Sequence, residues 1–268
     1  MDPTRRRRLI LSRRATGSMP AQTAVLDRMS ALGVSPDATR EGHLRTFIDS
    51  VFTAGGWTKM DLLYLLVGHA DAATRINLVN PGTYDLTKVN TPTFTADGGW
   101  TSAASSYLDS GFNPSTAAGR KLAQDDVSYG FATLTDAADS NNVKALGGVA
   151  NMRTMPRRAT GGDWIMYGGS TTVNVIVSAN TGKGLYGMSR SAAGSYTPQK
   201  NGVAQASVGQ TSTAPTNANF LILTSDGTNL TSKQVALGFV GQAISDAEHT
   251  ALWNAYVAFM TAIGSSAT

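Results

Sequence analysis

The side chains that could do acid–base, nucleophilic or metal chemistry are few in this chain and poorly spaced for it. A glycan hydrolase needs two carboxylates flanking one bond, one to attack or activate water and one to protonate the leaving group. The sequence holds only two glutamates, Glu41 and Glu248. Glu41 lies in a stretch of helical periodicity. Glu248 closes Ser245-Asp246-Ala247-Glu248, a capping box in which the serine accepts from the third-residue amide and the glutamate reaches back. Aspartates gather at Asp125-Asp126 and Asp136/Asp139, where adjacent or i,i+3 spacing in polar stretches reads as solvated turn residues. His43, His69 and His249 stand far apart, without the His-x-x-x-His spacing that puts two imidazoles on one helix face. No Gly-x-Ser-x-Gly elbow occurs, and SRSAAGS does not fit one. The glycine-rich pieces GGVANM and TGKG lack the Gly-Lys-Ser/Thr order of a phosphate cradle. Cysteine is absent, which excludes thiol nucleophiles, disulfides and cysteine zinc sites. The expectation is a protein that is not an enzyme, with no catalytic residue, cofactor or metal.

Binding chemistry is better supplied. A sugar site needs an exposed aromatic platform beside Asn or Asp, often with calcium. Trp100, Tyr107, Trp164, Tyr167, Tyr186 and Tyr196 are the candidate rings, and Trp100 and Trp164 are the two singled out for a glycan. They follow Gly98-Gly99 and Gly161-Gly162-Asp163, turns that would start strands. An indole there either packs inward, with its N–H met by a loop carbonyl, or lies flat and exposed as a platform. Aromatic residues make up only 7% of the chain, and a large sandwich needs most of them inside, which favours core packing. The DDVS and DAADSNN stretches are weak calcium candidates.

The strongest charge feature is at the N-terminus. Six of the 22 basic residues and one of the 18 acidic residues fall in residues 1–14, leaving 16 basic against 17 acidic groups in the rest. The whole positive excess sits in an arm, and a body that bound nucleic acid or a membrane surface would carry its own basic patch. Guanidinium forks bind carboxylates bidentately and a short apolar segment adds buried area, so Arg5, Arg6, Arg7, Arg8, Leu9, Ile10, Leu11, Arg13 and Arg14 are expected to dock in a groove of a partner protein. Packaged DNA is the runner-up partner for the arm, with nucleic acid otherwise not expected. The apolar trio 9–11 is too short for the h-region of a secretory signal, roughly 7–15 residues. No run approaches the ~18 apolar residues of a spanning helix. The expectation is a soluble protein without an export signal of its own and without membrane insertion.

The elements that must position these groups follow from periodicity and turn chemistry. Charged residues are 15% of the chain against 41% hydrophobic, the composition of a loop-rich β protein with an uncharged polar surface. Val25, Leu26, Met29 and Leu32 recur at helical spacing and stop at Gly33; Leu44, Phe47, Ile48, Val51 and Phe52 do the same before Gly55-Gly56. The segment WTKMDLLYLLV (57–67) is a third helix candidate, more apolar and expected to be buried, with Trp57 and Tyr64 in the core. From about Thr74 the texture changes to short apolar runs separated by Asn80-Pro81-Gly82, Asp97-Gly98-Gly99, Asn113-Pro114, Gly161-Gly162-Asp163, Asn201-Gly202 and Asp226-Gly227, all turn-forming. Strand-like pieces include VNVIV, FLILT and QVALGFV. Asn201-Gly202 fits a type I′ hairpin turn between Lys200 and Val203. Leu252, Tyr256, Phe259, Met260 and Ile263 form the apolar stripe of a last helix that stops at Gly264.

The ordered blocks INLVNPGTYDLTKVNTPTFTADGGW, YLDSGFNPST, GMSRSAAGSYTPQKNGV and ALGFVGQAISDAEHTALWNAYVAFMTAIG resemble the concanavalin A-like, laminin-G-type jelly-roll domains of tailed-phage and prophage virion proteins. FIDSVFTAGGWTKMDLLYLLVGHADAAT resembles the lead-in such proteins carry. The resemblance implies a mainly β fold: an arginine-rich arm (1–19), a small helical adaptor (20–73) and a concanavalin A-like jelly roll with a C-terminal helix packed on it (74–268). It implies a non-enzymatic virion structural protein, head-decorating, neck or tail fibre, assembled in the host cytoplasm. Its partners would be capsid, portal or tail proteins, with the chain present as a homo-oligomer or in repeated copies on the particle. The alternative is a lectin-like protein that recognises a host-surface glycan. Glycan hydrolases that share the architecture carry Glu-x-Asp-x-Glu on one strand, and this sequence has no such motif.

Overall fold

Proline at the first helical position opens α1 (Pro20–Ala31), where its missing N–H costs nothing. Val25 and Met29 are buried on one face while Leu32 is 39% exposed, so the apolar stripe ends one turn earlier than its spacing suggests. In α2 (Ala38–Thr53) the Asp37 carboxylate accepts from the Arg40 amide at 2.8 Å, and Leu44, Phe47, Ile48 and Val51 form the buried face. The computed structural model describes residues 19–103, 105–140, 146–148, 151–178 and 180–267. The arm residues from Arg5 to Arg14 lie outside the described residues.

The expected third helix is corrected. After a 3-10 turn (Gly56–Lys59) the chain enters β1 (Met60–Leu65), which pairs antiparallel along β16 (Val235–Gly241), with Leu63 opposite Phe239 and Leu65 opposite Leu237. Leu62 and Tyr64 point into one apolar layer and Leu63 and Leu65 into another. A strand buried on both faces has no polar alternation, so its sequence reads like a buried helix. Residues 60–65, assigned by sequence to the helical adaptor, are therefore part of the sandwich.

Two antiparallel sheets stack face to face. The first runs β13 (Val203–Ala204), β12 (Ser195–Lys200), β11 (Gly184–Ala192), β6 (Val127–Thr133), β16, β4 (Gly99–Thr101) and β3 (Thr93–Thr95), with β1 also on β16 and β14 (Val208–Gly209) on β12. The second runs β10 (Asn174–Val177), β9 (Trp164–Gly168), β8 (Met152–Met155), β7 (Leu146–Gly148), β15 (Phe220–Ile222), β5 (Tyr107–Asp109) and β2 (Thr87–Val89). The layer between them holds Trp100, Tyr129, Phe131, Trp164, Tyr186, Phe220 and Val240. Phe131 stacks on Phe220 at 5.4 Å across the two sheets.

A second apolar layer lies on the outer face of the first sheet. Leu185, Leu237 and Phe239 there meet the helices, including α4 (Asp246–Ala262), whose Leu252, Tyr256, Phe259 and Met260 are buried. Between β1 and β2 lies the short helix α3 (Asp71–Thr74). The hairpin expected at Asn201-Gly202 is present: Lys200 pairs with Val203 and both turn residues have positive φ, 53° and 74°. A side chain at Gly202 would lie 2.8 Å from the Thr250 backbone, because the turn tucks against α4 and the Thr250 hydroxyl donates to the Gly202 carbonyl. The capping box holds as well, with the Ser245 amide donating to Glu248 at 2.6 Å and the Glu248 amide to the Ser245 hydroxyl at 3.3 Å. Ser245→Ala removes one of these bonds and should cost about 1 kcal/mol, read as a lower urea midpoint at unchanged m value.

Candidate functional site

Trp100 and Trp164 take the core placement that the scarcity of aromatic residues favours, so the candidacy of both as glycan platforms is corrected. Trp100 and Trp164 are both fully buried between the sheets. Their indole N–H groups donate to the hydroxyls of Thr74 at 3.0 Å and Thr154 at 2.9 Å, threonine side chains and not the expected loop carbonyls. A buried ring with a satisfied N–H offers no platform. Tyr186 and Tyr196 are also buried, and Tyr167 is covered by the Arg153 guanidinium 4.0 Å from its ring centre. Tyr107 is half-buried.

The acidic residues separate in an equally informative way. Glu41 pairs with Arg45 one turn along α2, and Glu248 pairs with Lys59 at 2.8 Å besides capping α4. Asp125 accepts from the Ser212 hydroxyl, and Asp126 from the Gln242 side chain at 2.7 Å and the Ala243 amide at 2.9 Å. Asp139 is not a solvated turn residue: it is buried in an ion pair with the equally buried Lys233 at 3.0 Å. Among the described residues no group of three His, Cys, Asp or Glu side chains could hold a metal ion.

A polar and aromatic cleft of about 230 Å³ opens where the start of β1, the 79–84 loop and the 112–121 loop converge. Its lining includes Asp61, Asn80, Thr83, Tyr84, Phe112, Arg120 and Lys121. One wall is built by the turn that Asn80-Pro81-Gly82 announces. Gly82 takes φ of 87°, and Asp85 gathers the turn by accepting from the amides of Gly82 at 3.1 Å and Asn77 at 2.9 Å. Arg28 of α1 then pairs with Asp85 at 2.8 Å, tying the turn to the helical layer.

Tyr84 sits on this wall with φ of 61°, a conformation unfavourable for a bulky residue. It is held by neighbours on both sides. The buried Tyr64 hydroxyl donates to the Tyr84 carbonyl at 2.5 Å, and the Tyr84 ring meets Phe112 edge to face at 5.2 Å. The half-buried phenol therefore borders the cleft in one fixed pose.

The opposite wall is clamped by Asp61. Its two oxygens accept the backbone amides of Lys121 at 2.7 Å and Leu122 at 3.1 Å. Burial pushes the Asp61 carboxyl up from its ordinary range, and those two amides and the nearby cations pull it partly back. The Lys121 ammonium donates to the Met60 carbonyl at 2.6 Å; burial draws it below the usual lysine value, with Asp61 opposing. Arg120, exposed at the rim, makes one long hydrogen bond to the Ala117 carbonyl at 3.4 Å. The arrangement is suited to holding a small polar molecule by stacking, hydrogen bonding and positive charge. Tyr84, Arg120 and Lys121 were not singled out from the sequence, although the Asn-Pro-Gly turn before Tyr84 and the Gly119-Arg120-Lys121 run were visible in it.

No family model matches the chain, and no curated protein sequence matches it. Among solved structures, the binding domain of botulinum neurotoxin serotype D is similar with a TM-score of 0.50 at 9% identity, covering 74% of this chain and 51% of that one. Domain 4 of AbnA, an extracellular arabinanase of Geobacillus stearothermophilus solved with arabinotriose, gives 0.49 at 14% identity over 72% of this chain and 98% of that one. Trypanosoma rangeli sialidase gives 0.46 at 12% identity, and the chain spans 38% of its length. What such distant likeness shows is architecture. The chain is a mainly β, jelly-roll-like sandwich, preceded by helices and closed by a C-terminal helix packed on the first sheet.

Proposed function

We propose that this chain is a non-enzymatic structural protein of a phage virion, anchored to a neighbouring virion protein by its N-terminal arm and carrying the jelly roll as its displayed body. The observation that carries the reading is the partition of charge, six arginines within residues 1–14 against a remainder of 16 basic and 17 acidic groups. Among the described residues of that remainder, nine cations are matched to carboxylates in ion pairs. A body that neutralises its own charge leaves recognition of an acidic partner to the arm. Repeated arms reaching into neighbouring subunits suit the symmetry of a particle. Deleting residues 1–19 is expected to leave a folded protein, with the thermal transition of the full chain, that no longer incorporates into particles. Incorporation of the truncated chain at full occupancy would remove the anchoring role.

A second reading, recognition of a host-surface glycan by the displayed sandwich, is favoured by the cleft bordered by Tyr84, Arg120 and Lys121. The same architecture forms the binding domain of the serotype D neurotoxin. The two readings are compatible, since one assigns the arm and the other the body.

A further inference from the structure

We infer that the cleft between the 79–84 and 112–121 loops binds a glycan residue bearing a carboxylate, a single uronic-acid-type unit; this deepens the glycan-recognition reading and rests on it. Size sets the first limit. A cleft of about 230 Å³ takes one sugar ring and its substituents, below the several hundred cubic ångströms of drug-sized pockets.

Charge sets the second. Among the described residues nine cations are ion-paired with carboxylates, and Arg120 and Lys121, which stand together on the cleft, are among those that are not, as are Arg153, Lys183, Arg190 and Lys200 elsewhere. Asp61 is the one acidic residue of the lining, and both its oxygens are occupied by backbone amides. The balance of two cations against one carboxylate suits a monoanion. A guanidinium at the rim also matches a carboxylate in geometry, because it can donate two parallel bonds.

The remaining lining selects a carbon skeleton with hydroxyls over a bare anion. Tyr84 supplies an aromatic surface next to Phe112, Met60 and Val79 add apolar wall, and the exposed Asn80 and Thr83 offer an amide and a hydroxyl to sugar oxygens. Inorganic phosphate would use the cations and waste the rest. The unfavourable backbone of Tyr84 adds an independent reason, since a bulky residue kept at positive φ by Tyr64 and Phe112 is a fixed ring at the edge of a cavity.

The test titrates the full chain with methyl β-D-glucuronide by calorimetry, with methyl β-D-glucoside and inorganic phosphate as comparison probes. Saturable binding of the glucuronide is expected, about tenfold or more tighter than the uncharged glucoside, and not displaced by equimolar phosphate. Arg120→Gln should weaken it about tenfold with an unchanged melting temperature, the side chain being exposed. Tyr84→Asn removes the ring while placing a residue tolerant of positive φ, so it should abolish binding and keep the fold. No saturable uptake of the glucuronide, equal affinity for the glucoside, displacement by phosphate, or unchanged affinity in both folded variants would each overturn the assignment. A glycan array separates the two levels. Neutral glycans bound equally by wild type and both variants would sink the cleft and spare glycan recognition, and an array without any saturable binding would sink both while leaving the arm deletion to decide the virion reading.

Discussion

Asp139→Ala is expected to lower the unfolding free energy by about 3–5 kcal/mol, because it strands a buried ammonium. Lys233 and Asp139 are both at 0% side-chain exposure and 3.0 Å apart. Without the carboxylate, Lys233 keeps one acceptor, the Ala137 carbonyl at 2.5 Å. Burial draws the Lys233 ammonium below the ordinary lysine value against the pull of Asp139, the direction expected of a charge held out of water. Lys233→Met should cost less than Asp139→Ala. The carboxylate it leaves behind still accepts from the Thr231 hydroxyl at 2.9 Å and from the Ser232 amide at 2.7 Å and hydroxyl at 2.9 Å. The double variant should recover part of the loss, since neither charge is then buried alone. Urea unfolding followed by tryptophan fluorescence reads all three, with Trp100 and Trp164 reporting from the inter-sheet core. An Asp139→Ala loss under about 1 kcal/mol, the range of solvent-exposed pairs, would mean that water reaches the pair.

That pair also marks where sequence reading stops. DAADSNN has the composition of a solvated loop, and Asp139 is buried because Thr231, Ser232 and Lys233, from a distant part of the chain, fold back onto it. Local chemistry was legible throughout. The Ser245–Glu248 box and the Asn201-Gly202 turn each act within a few residues, and each is found where its spacing implies. The strand β1 was not legible, because burial on both faces erases the alternation that distinguishes a strand from a buried helix. The cleft was not legible for a third reason. Asp61, Tyr84 and Arg120 come from three separate stretches, and the clamp from Asp61 to the Lys121 and Leu122 amides joins positions that no pattern in the sequence connects. The two tryptophans illustrate the converse: the scarcity of aromatic residues favours core packing for both, and both lie in the core between the sheets.

The second large effect is expected from pH, through a histidine the cleft does not use. His249 lies on α4 at 1% exposure with its ring edge to face against Phe239, centres 5.8 Å apart, and its Nε2 has no hydrogen-bond partner among the described residues. Burial lowers its pKa from 6.5 to about 3, opposed in part by the neighbouring Glu248 carboxylate and the Met188 backbone. The folded protein therefore keeps this imidazole neutral across a range in which the unfolded chain takes up a proton. A depressed histidine contributes stability that is whole above the unfolded pKa and is lost as pH falls toward the folded one. The window runs from about pH 6.5 down to about pH 3, and the full loss across it is about 3–5 kcal/mol. Between pH 6.5 and 5 the loss should already be about 2 kcal/mol, before carboxylates with ordinary or lowered values begin to titrate. His249→Leu should flatten the curve in that upper window at a cost near pH 7 of about 1 kcal/mol, because it gives up the ring's hydrogen bond to the Met188 backbone while an aliphatic side chain can still pack on Phe239. Urea midpoints measured for both proteins at half-unit steps from pH 7 to 4.5 give the comparison directly. Parallel slopes for wild type and variant over that range would show that the imidazole takes up its proton in the folded state at its ordinary pKa, and that the layer between α4 and the first sheet admits a charge.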